Sequence, residues 1–295
     1  MTTTAARPIS ILLQTTIPYT EDDWHAGRFR MLRDHIAGLR DAEGNPLAEV
    51  TARDREPGPD GNDPVLASID RSGYDQVWLF AVDTGGETGI TAAECTALGA
   101  FRDAGGAIFA TRDHQDLGSS ICHLGGIGAA HYFHSHNLPP DESLRRRDDP
   151  DTTAIDWPNF HSGANGDVQT IEAPEPVHPV LREGGGVRTL PAHPHEGAVG
   201  APPTDPEARV VATGRSTATQ RPFNIAVAFE GRDGRGRGWA ESTFHHFCDY
   251  NWNVGAGCPS FVSEKPSDRI ARDPSLLDDT KRYVRNLVGW LGRRS

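Results

Sequence analysis

Short apolar runs alternate with segments of helical periodicity along the first part of the chain. Runs bounded by glycine, proline or polar clusters are typical of buried strands, and apolar positions every three to four residues are typical of core-facing helices. The runs predict strands at residues 9–13, 47–51, 74–82 and 107–110, and the periodic segments predict helices at residues 24–39 and 91–104. Because alternating strands and helices form parallel sheets covered by helices, we predict an α/β fold.

The strand predicted at residues 107–110 leads directly into a polar cluster that contains Arg112, Asp113, His114 and Asp116. Connections between parallel strands are nearly always right-handed, and open α/β sheets bind ligands beyond the carboxyl ends of their strands. We therefore expect these four side chains to lie at the functional edge of the sheet.

Later apolar runs predict a second group of strands and a packing helix. The strands are expected at residues 209–213, 225–230 and 238–244, in a mixed or antiparallel edge, and the helix at residues 275–291. A weaker helix is predicted at residues 117–124, where the glycines that follow would end it.

Residues 129–170 change in composition, with many His, Asp, Asn and Pro residues and little periodicity. A loop this long within a domain is usually functional or disordered. Its aromatic residues, Trp157 and Phe160 among them, argue against disorder. We predict a cap-like insertion over the site, within a single domain spanning residues 1–295.

Charge and cysteine content narrow the classes of function. The chain has 29 Lys and Arg against 41 Asp and Glu, a net charge of −12, which disfavours nucleic-acid and anionic-membrane partners. The N-terminal residues lack a signal-peptide pattern and no apolar run reaches membrane-spanning length, so we expect a cytoplasmic protein. Four scattered cysteines predict free thiols rather than a disulfide framework or a paired zinc site.

Asp113, His114 and Asp116 form the first candidate for chemistry. A carboxylate beside an imidazole can act as a general base with its orienting group, or can supply oxygen and nitrogen ligands to a metal. Asp113 or Asp116 could instead simply cap a helix. Asp113 and His114 are predicted to be catalytic, and Arg112 and Asp116 to bind substrate.

The second candidate follows the strand predicted at residues 238–244. His245 and His246 are adjacent, so we expect one of them to reach a given pocket, and Asp249 could orient His245 if the chain turns into a helix there. We predict His245 and Asp249 to be catalytic and His246 to bind substrate; a structural histidine bonded to backbone is the alternative.

Other nucleophile and metal patterns are weaker. Among the histidines at positions 131, 134 and 136, His134 is predicted to hold an anionic or hydroxyl group of the substrate, and no spacing matches a strong zinc motif. Cys122 and Cys248 do not occupy the strand-to-helix elbow where a cysteine nucleophile would be exposed. No metal ligands and no cofactor are assigned.

Four stretches resemble the class I glutamine amidotransferase-like superfamily and, within it, the trehalose-utilisation ThuA-like branch or a related family: residues 74–80, 98–111, 177–180 and 242–246. The resemblance implies a flavodoxin-like three-layer α/β/α sandwich with a mostly parallel central sheet and long loop insertions. The amidotransferases carry a catalytic cysteine at the elbow and complete a Cys-His-Glu triad with a later Phe-His-Pro-Glu-like motif. Phe244-His245 is similar to that motif with Asp249 as a displaced acid, whereas the elbow here has Arg112-Asp113-His114. This departure speaks against thiol-based glutamine hydrolysis.

These patterns together predict an enzyme that acts on a small polar molecule, a sugar derivative or an amide, by general acid/base catalysis and without a cysteine nucleophile. Hydrolysis is the predicted reaction. Two alternatives stay open: a metal-dependent enzyme using His114, Asp116 and the histidines at positions 131–136, and a non-catalytic binding or assembly protein that has lost the amidotransferase nucleophile. The predicted partner is a small-molecule substrate, with homo-oligomerisation possible.

Overall fold

The structure is a computed structural model that describes residues 7–85, 88–145, 147–149, 154–155 and 159–292. The strands are β1 (Ile9–Thr15), β2 (Ala48–Arg53), β3 (Gln76–Phe80), β4 (Ala107–Thr111), β5 (His131–Tyr132), β6 (Val168–Thr170), β7 (Thr189–Pro191), β8 (Ala198–Val199), β9 (Ala208–Arg215), β10 (Pro222–Phe229) and β11 (Gly238–Glu241). The α-helices are α1 (Arg30–Ala37), α2 (Ala92–Asp103), α3 (Gly125–Ala129), α4 (Pro179–Arg182), α5 (Asp249–Trp252), α6 (Arg269–Arg272) and α7 (Asp278–Leu291). Short 3-10 helices span Ala26–Phe29, Leu66–Arg71, Ser119–His123, Glu142–Leu144, Glu183–Gly185, Phe244–His246, Val254–Ala256 and Pro274–Leu277.

Seven strands form one sheet in the order β2-β1-β3-β4-β11-β10-β9. The pairs β2-β1, β1-β3, β3-β4 and β4-β11 are parallel, whereas β10 runs antiparallel to both β11 and β9. The parallel part has the 2-1-3-4-5 order of flavodoxin-like sheets, with β11 in the fifth position. The predicted α/β fold with a mixed or antiparallel edge is confirmed.

Helices cover both faces of this sheet, which explains why β3 and β4 are buried along their whole length and apolar except at Gln76 and Thr111. In β3, Trp78 and Phe80 belong to the core that includes α1 and α7, whereas Val77 and Leu79 belong to the core that includes α2. Successive strand side chains point to opposite faces, so a continuous apolar run fits a strand buried on both sides. The fold is therefore a three-layer sandwich, as the sequence predicted.

A glycine brings the loop after β7 against the carboxyl edge of the sheet. The Gly197 amide donates to the Ser242 carbonyl oxygen at 3.1 Å. A Cβ atom at position 197 would lie 2.7 Å from the carbonyl oxygens of Asp113 and Ser242, closer than real Cβ contacts. Because glycine has no side chain, the loop fits here and carries His193 and His195 to the residues that follow β4.

Two predicted elements differ from the structure near this edge. The predicted helix at residues 117–124 is instead the 3-10 helix Ser119–His123, and α3 continues through the glycines expected to end it. Gly128 packs directly on the Ile121 carbonyl oxygen, where a Cβ would lie at 2.2 Å, so tight packing favours glycine within α3. The strand predicted to reach residue 244 ends at Glu241, and the chain turns into the 3-10 helix Phe244–His246.

The predicted cap lies partly outside the described residues. Positions 146, 150–153 and 156–158, Trp157 among them, are not described, nor are residues 1–6, which bear on the predicted absence of a signal peptide. The described part of the segment includes β5, β6 and the 3-10 helix Glu142–Leu144. Within the described chain, no helix is both long and apolar enough to cross a membrane.

Candidate active site

A cleft of about 360 Å³ opens at the carboxyl edge of the parallel sheet. Asp113 and His114 enter it from the loop after β4, His193 and His195 from the loop after β7, and His245 from the turn after β11. The other residues lining the cleft are Asp23, Trp24, Val82, Thr84, Leu117, Ile155, Phe244, Phe261, Val262 and Glu264. The cleft thus combines a centre of titratable side chains with largely apolar walls, as small-molecule sites commonly do.

Asp113 is the centre of the titratable group. Its Oδ1 lies 3.1 Å from His114 Nδ1 and 3.5 Å from His193 Nε2, and its Oδ2 lies 3.8 Å from His245 Nε2. Burial by itself favours the neutral acid, but the charge and hydrogen bond of His114 and contacts with His193 and His245 outweigh it. They hold the pKa of Asp113 well below its ordinary value. The carboxylate is therefore ionised in a nearly closed environment.

A pair of asparagines fixes which ring nitrogens of two histidines carry hydrogen. Asn251 Nδ2 donates to the Ala192 carbonyl oxygen at 2.8 Å and to Asn165 Oδ1 at 3.0 Å, which orients both amides. Asn165 Oδ1 lies 2.9 Å from His193 Nδ1, and Asn251 Oδ1 lies 3.0 Å from His245 Nδ1. Because each amide oxygen is an acceptor, each Nδ1 must be the donor. The neutral forms of both rings therefore present an unprotonated Nε2 toward Asp113.

His193 and His245 also stack on each other. Their ring centroids are 3.5 Å apart with an angle of 8° between the planes. Desolvation, followed by the repulsive charge of His245, lowers the pKa of His193 well below its ordinary value. Two stacked imidazolium ions would repel each other strongly at this distance. The stacking therefore couples the charge of His193 to that of the neighbouring ring.

His195 extends the group toward the mouth of the cleft. Its Nε2 lies 3.1 Å from Glu264 Oε1 and its Nδ1 lies 3.3 Å from Asp149 Oδ2. The hydrogen bond from His195 is the main cause of a lowered pKa at Glu264. The ring centroid of His195 is 5.3 Å from that of His114. His195 therefore links the centre of the cleft to Glu264, which lines the cleft, and to Asp149, which is buried outside the lining.

Aromatic side chains form the apolar wall beside these histidines. The ring of Trp24 lies edge-on to His245 with centroids 4.9 Å apart, and Phe244 stacks on the same histidine at 4.2 Å. Phe261 lines the cleft but keeps 60% of its surface exposed. An exposed phenylalanine at the opening offers a face for the apolar side of a bound molecule.

The structure corrects the role predicted for Asp249. Its Oδ1 accepts a hydrogen bond from the Met31 amide at 2.7 Å, and the contact predicted between Asp249 and His245 Nδ1 is made by Asn251 instead. The reason is that Asp249 begins α5 and faces α1, whose own N-cap, Phe29, supplies no side-chain hydrogen bond. Burial raises the pKa of this carboxyl. Asp249 therefore caps α1 from a distant part of the chain.

This capping role predicts a stability change. We expect Asp249→Ala to lower the free energy of unfolding by about 1 kcal/mol, because an amide at the start of α1 loses its acceptor. Asp249→Asn, which keeps an acceptor oxygen, should lose less. Urea denaturation monitored by circular dichroism measures both, and an alanine variant as stable as the wild type would contradict the assignment.

All four predicted substrate-binding residues, Arg112, Asp116, His134 and His246, lie outside the cleft lining. Arg112 is fully buried, donates to the carbonyl oxygens of Tyr132 and Gln115, and lies over the Phe133 ring at 4.1 Å. Desolvation lowers its pKa to about 9. Since its guanidinium is committed to the protein interior, Arg112 holds the chain around β5 rather than a ligand.

Asp116 lies in the loop after β4, and His134 lies in the segment after β5. Burial by itself raises the pKa of Asp116, but hydrogen bonds from the Ser135 hydroxyl at 2.6 Å and amide at 2.8 Å outweigh it. With the charges of His136 and His134, they lower the pKa. Neither Asp116 nor His134 lines the cleft. The structure therefore does not join them to His114 in the metal group considered from the sequence.

His246 points into the protein interior. Its Nδ1 lies 2.8 Å from Glu241 Oε1 and its Nε2 lies 3.4 Å from Glu196 Oε1, and all three side chains are fully buried. Although desolvation lowers the pKa of His246, the two carboxylates outweigh it and raise the pKa to about 9. The expectation that one of the two adjacent histidines reaches the pocket fits this arrangement, with His245 in the cleft and His246 in a structural ion cluster.

None of the four cysteines lines the cleft, although the Cys248 thiol lies 3.1 Å from Asn251 Oδ1 and 3.8 Å from His245 Nδ1. Cys248 is fully buried, and desolvation raises its pKa far above the ordinary value, while burial raises the pKa of Cys122 to about 11. A thiolate nucleophile of the amidotransferase kind is therefore not among the described cleft residues.

Four residues that line the cleft or orient its histidines were not predicted from the sequence: His193, His195, Asn165 and Asn251. A signal for two of them is present in His193-Pro194-His195, because alternate spacing in an extended segment places both histidine side chains on one side. The two asparagines carry no local signal, because their roles depend on a contact between residues 165 and 251.

The fold and the site define an α/β sandwich with a histidine and carboxylate cleft at the carboxyl edge of its parallel strands. No protein-family model and no curated protein matches the chain. Among solved structures, the chain is similar to a ThuA-like protein from Parabacteroides merdae, with 15% identity, 80% of this chain and 79% of that chain covered, and a TM-score of 0.47.

Two further solved structures are similar over nearly the whole chain. The glutaminase domain of CTP synthase from Trypanosoma brucei, with bound acivicin, has 14% identity, 97% and 95% coverage and a TM-score of 0.49. A cytoplasmic protein from Salmonella typhimurium has 11% identity, 97% and 99% coverage and a TM-score of 0.43. The similar structures thus include a ThuA-like protein and a glutaminase domain. At such identities the similarity carries no information about activity.

Proposed function

We propose that the chain is an enzyme that hydrolyses a small polar molecule, with His245 as the group that accepts and returns a proton. The observation that carries this proposal is the position of His245 in the cleft, with Nε2 3.8 Å from Asp113 Oδ2 and Nδ1 3.0 Å from Asn251 Oδ1. A base with a fixed tautomer beside an ionised carboxylate is the arrangement that general base catalysis requires. Asp113 stabilises the imidazolium that forms when His245 takes a proton.

The walls of the cleft support a substrate with both polar groups and an apolar face. Trp24, Phe244 and Phe261 supply aromatic surface, and His114, His193 and His195 supply polar contacts. Sugars combine hydroxyl groups with a face of C–H bonds that packs on aromatic rings. A sugar derivative therefore suits this cleft better than a purely aliphatic amide, and its volume of about 360 Å³ fits a molecule of that size.

The test compares consumption of metabolites by two forms of the protein. Wild type and a His114→Ala/His245→Ala variant are incubated with a mixture of small sugars, glycosides and amides. Mass spectrometry follows the loss of each compound and the appearance of its hydrolysis products. We expect at least one compound to be hydrolysed by the wild type and left intact by the variant. Equal consumption by both forms would remove His114 and His245 from the reaction, and binding without consumption by either form would favour the non-catalytic alternative.

Phe261 supplies a separate prediction about substrate binding. We expect Phe261→Ala to raise KM for the identified substrate by roughly 3- to 10-fold with kcat nearly unchanged, because an aromatic contact contributes about 0.5–1.5 kcal/mol and lies away from the catalytic groups. Tyr19→Ala, at an aromatic residue that is 63% exposed and does not line the cleft, is the matched control. A fall in kcat with unchanged KM would contradict this role.

A further inference from the structure

The arrangement around Asp113 leaves nitrogen lone pairs facing a carboxylate. The Asn165 contact makes Nδ1 of His193 the donor, so its Nε2 directs a lone pair toward Asp113 Oδ1 at 3.5 Å. This Nε2 is buried and has no hydrogen-bond partner among the described residues. Two acceptors that face each other in a buried site repel each other unless a cation or a proton lies between them.

We propose that Asp113, His114 and His193 bind one divalent metal ion of the zinc class at the centre of the cleft. One potential ligand atom from each residue lies within 4.8 Å of the other two. Zinc bonds of about 2.0–2.1 Å in tetrahedral geometry place neighbouring ligand atoms about 3.3 Å apart. The separations of 3.1 Å and 3.5 Å from Asp113 Oδ1 to the two histidine nitrogens match this spacing.

The surroundings of the three residues fit a catalytic metal site. Two histidines and one carboxylate leave a fourth tetrahedral position for water, as catalytic zinc sites do. The hydrogen bond from His193 Nδ1 to Asn165 fixes the ring with Nε2 toward the ion, which is the usual second contact of a ligating histidine. His245 faces the other carboxylate oxygen, so its Nε2 can take the proton that a metal-bound water loses.

This inference rests on the proposed function, because it concerns the same cleft and gives His245 its source of protons. It differs from the metal alternative drawn from the sequence, since Asp116 and the histidines at positions 134 and 136 do not line the cleft. The loop held by Gly197 brings in the ligand, His193, that sequence spacing could not associate with residues 113 and 114.

The test measures zinc binding by the untagged 295-residue chain. The protein is stripped with a chelator and titrated with zinc chloride by isothermal calorimetry, and plasma mass spectrometry reports the metal retained on purification. We expect about one zinc per chain, a raised Tm on binding, and an affinity at least about 100-fold weaker in His193→Ala. Asn165→Ala should weaken binding by roughly 10- to 100-fold, because it acts through the orientation of His193.

Controls separate this site from adventitious binding and from a failure of the proposed function. His136→Ala, at an exposed histidine outside the cleft, should bind zinc as the wild type does, and circular dichroism shows that each variant is folded. His245→Ala should retain zinc while losing turnover. Absence of stoichiometric binding, or unchanged affinity in both His193→Ala and Asn165→Ala, would overturn the metal site, and loss of turnover in His245→Ala would still support the proposed enzyme.

Discussion

His245→Gln is expected to lower kcat for the identified substrate by at least about 100-fold. Glutamine keeps a polar side chain of similar reach but cannot accept and return a proton at neutral pH, and positioned acid/base groups contribute roughly 10²- to 10⁴-fold to rates. KM should change little, since the apolar walls and the other histidines stay in place. Steady-state kinetics on the compound found by metabolite profiling measure both constants.

A second histidine provides the control for this substitution. His35 lies on α1 and contacts the Lys281 carbonyl oxygen at 3.0 Å, away from the cleft. We expect His35→Gln to leave kcat within about twofold of the wild type. A His245→Gln enzyme with nearly normal kcat would remove His245 from the reaction, whatever the metal content of the protein.

The ion cluster at His246 predicts a large effect on stability. The folded-state pKa is about 9 and the ordinary value is 6.5, so the folded protein holds the His246 proton more tightly than the unfolded chain does. The stabilisation from this group is therefore fully present below about pH 6.5 and is lost as the pH rises through about 9. The difference corresponds to about 3 kcal/mol.

Urea denaturation between pH 6 and pH 10 tests this expectation by comparing the wild type with His246→Gln. The variant should be less stable at pH 6, because Glu196 and Glu241 lose their buried cation, and the gap between the two proteins should narrow as the pH rises. Subtracting the two curves of unfolding free energy against pH cancels the contributions of groups that titrate in both proteins. A gap that stays constant from pH 6 to pH 10 would contradict the assigned pKa.

The sequence predicted the parallel half of the fold because its strands are buried on both faces. A continuous apolar run such as the one containing Trp78 would expose apolar side chains to water at any surface position, so it predicts a buried strand. The polar residues after β4 mark the edge of the sheet. The prediction failed in a segment between two strands. The glycines after residue 124 were predicted to end a helix, because the sequence does not show that tight packing against Ile121 favours glycine within α3.

The site was predictable only where neighbouring residues meet. Asp113 and His114 touch because they are adjacent, and His245 follows a strand of the same sheet. Asp249 was assigned to His245 by its spacing in sequence, but a side chain at the start of a short helix can turn to either side, and it turned to α1. The contact of Asn165 with Asn251 joins two segments 86 residues apart, so no local pattern could indicate it.

The position of β11 in the sheet has a consequence for how the protein acquires its site during synthesis. β11 is the strand that connects β4 to the antiparallel pair β9 and β10, although it is made after all three. His245 and Asn251 follow it directly. A nascent chain that has already formed β1 to β4 therefore displays Asp113 without its base or the amide that orients it. The cleft can be assembled only after β11 emerges from the ribosome and enters the sheet.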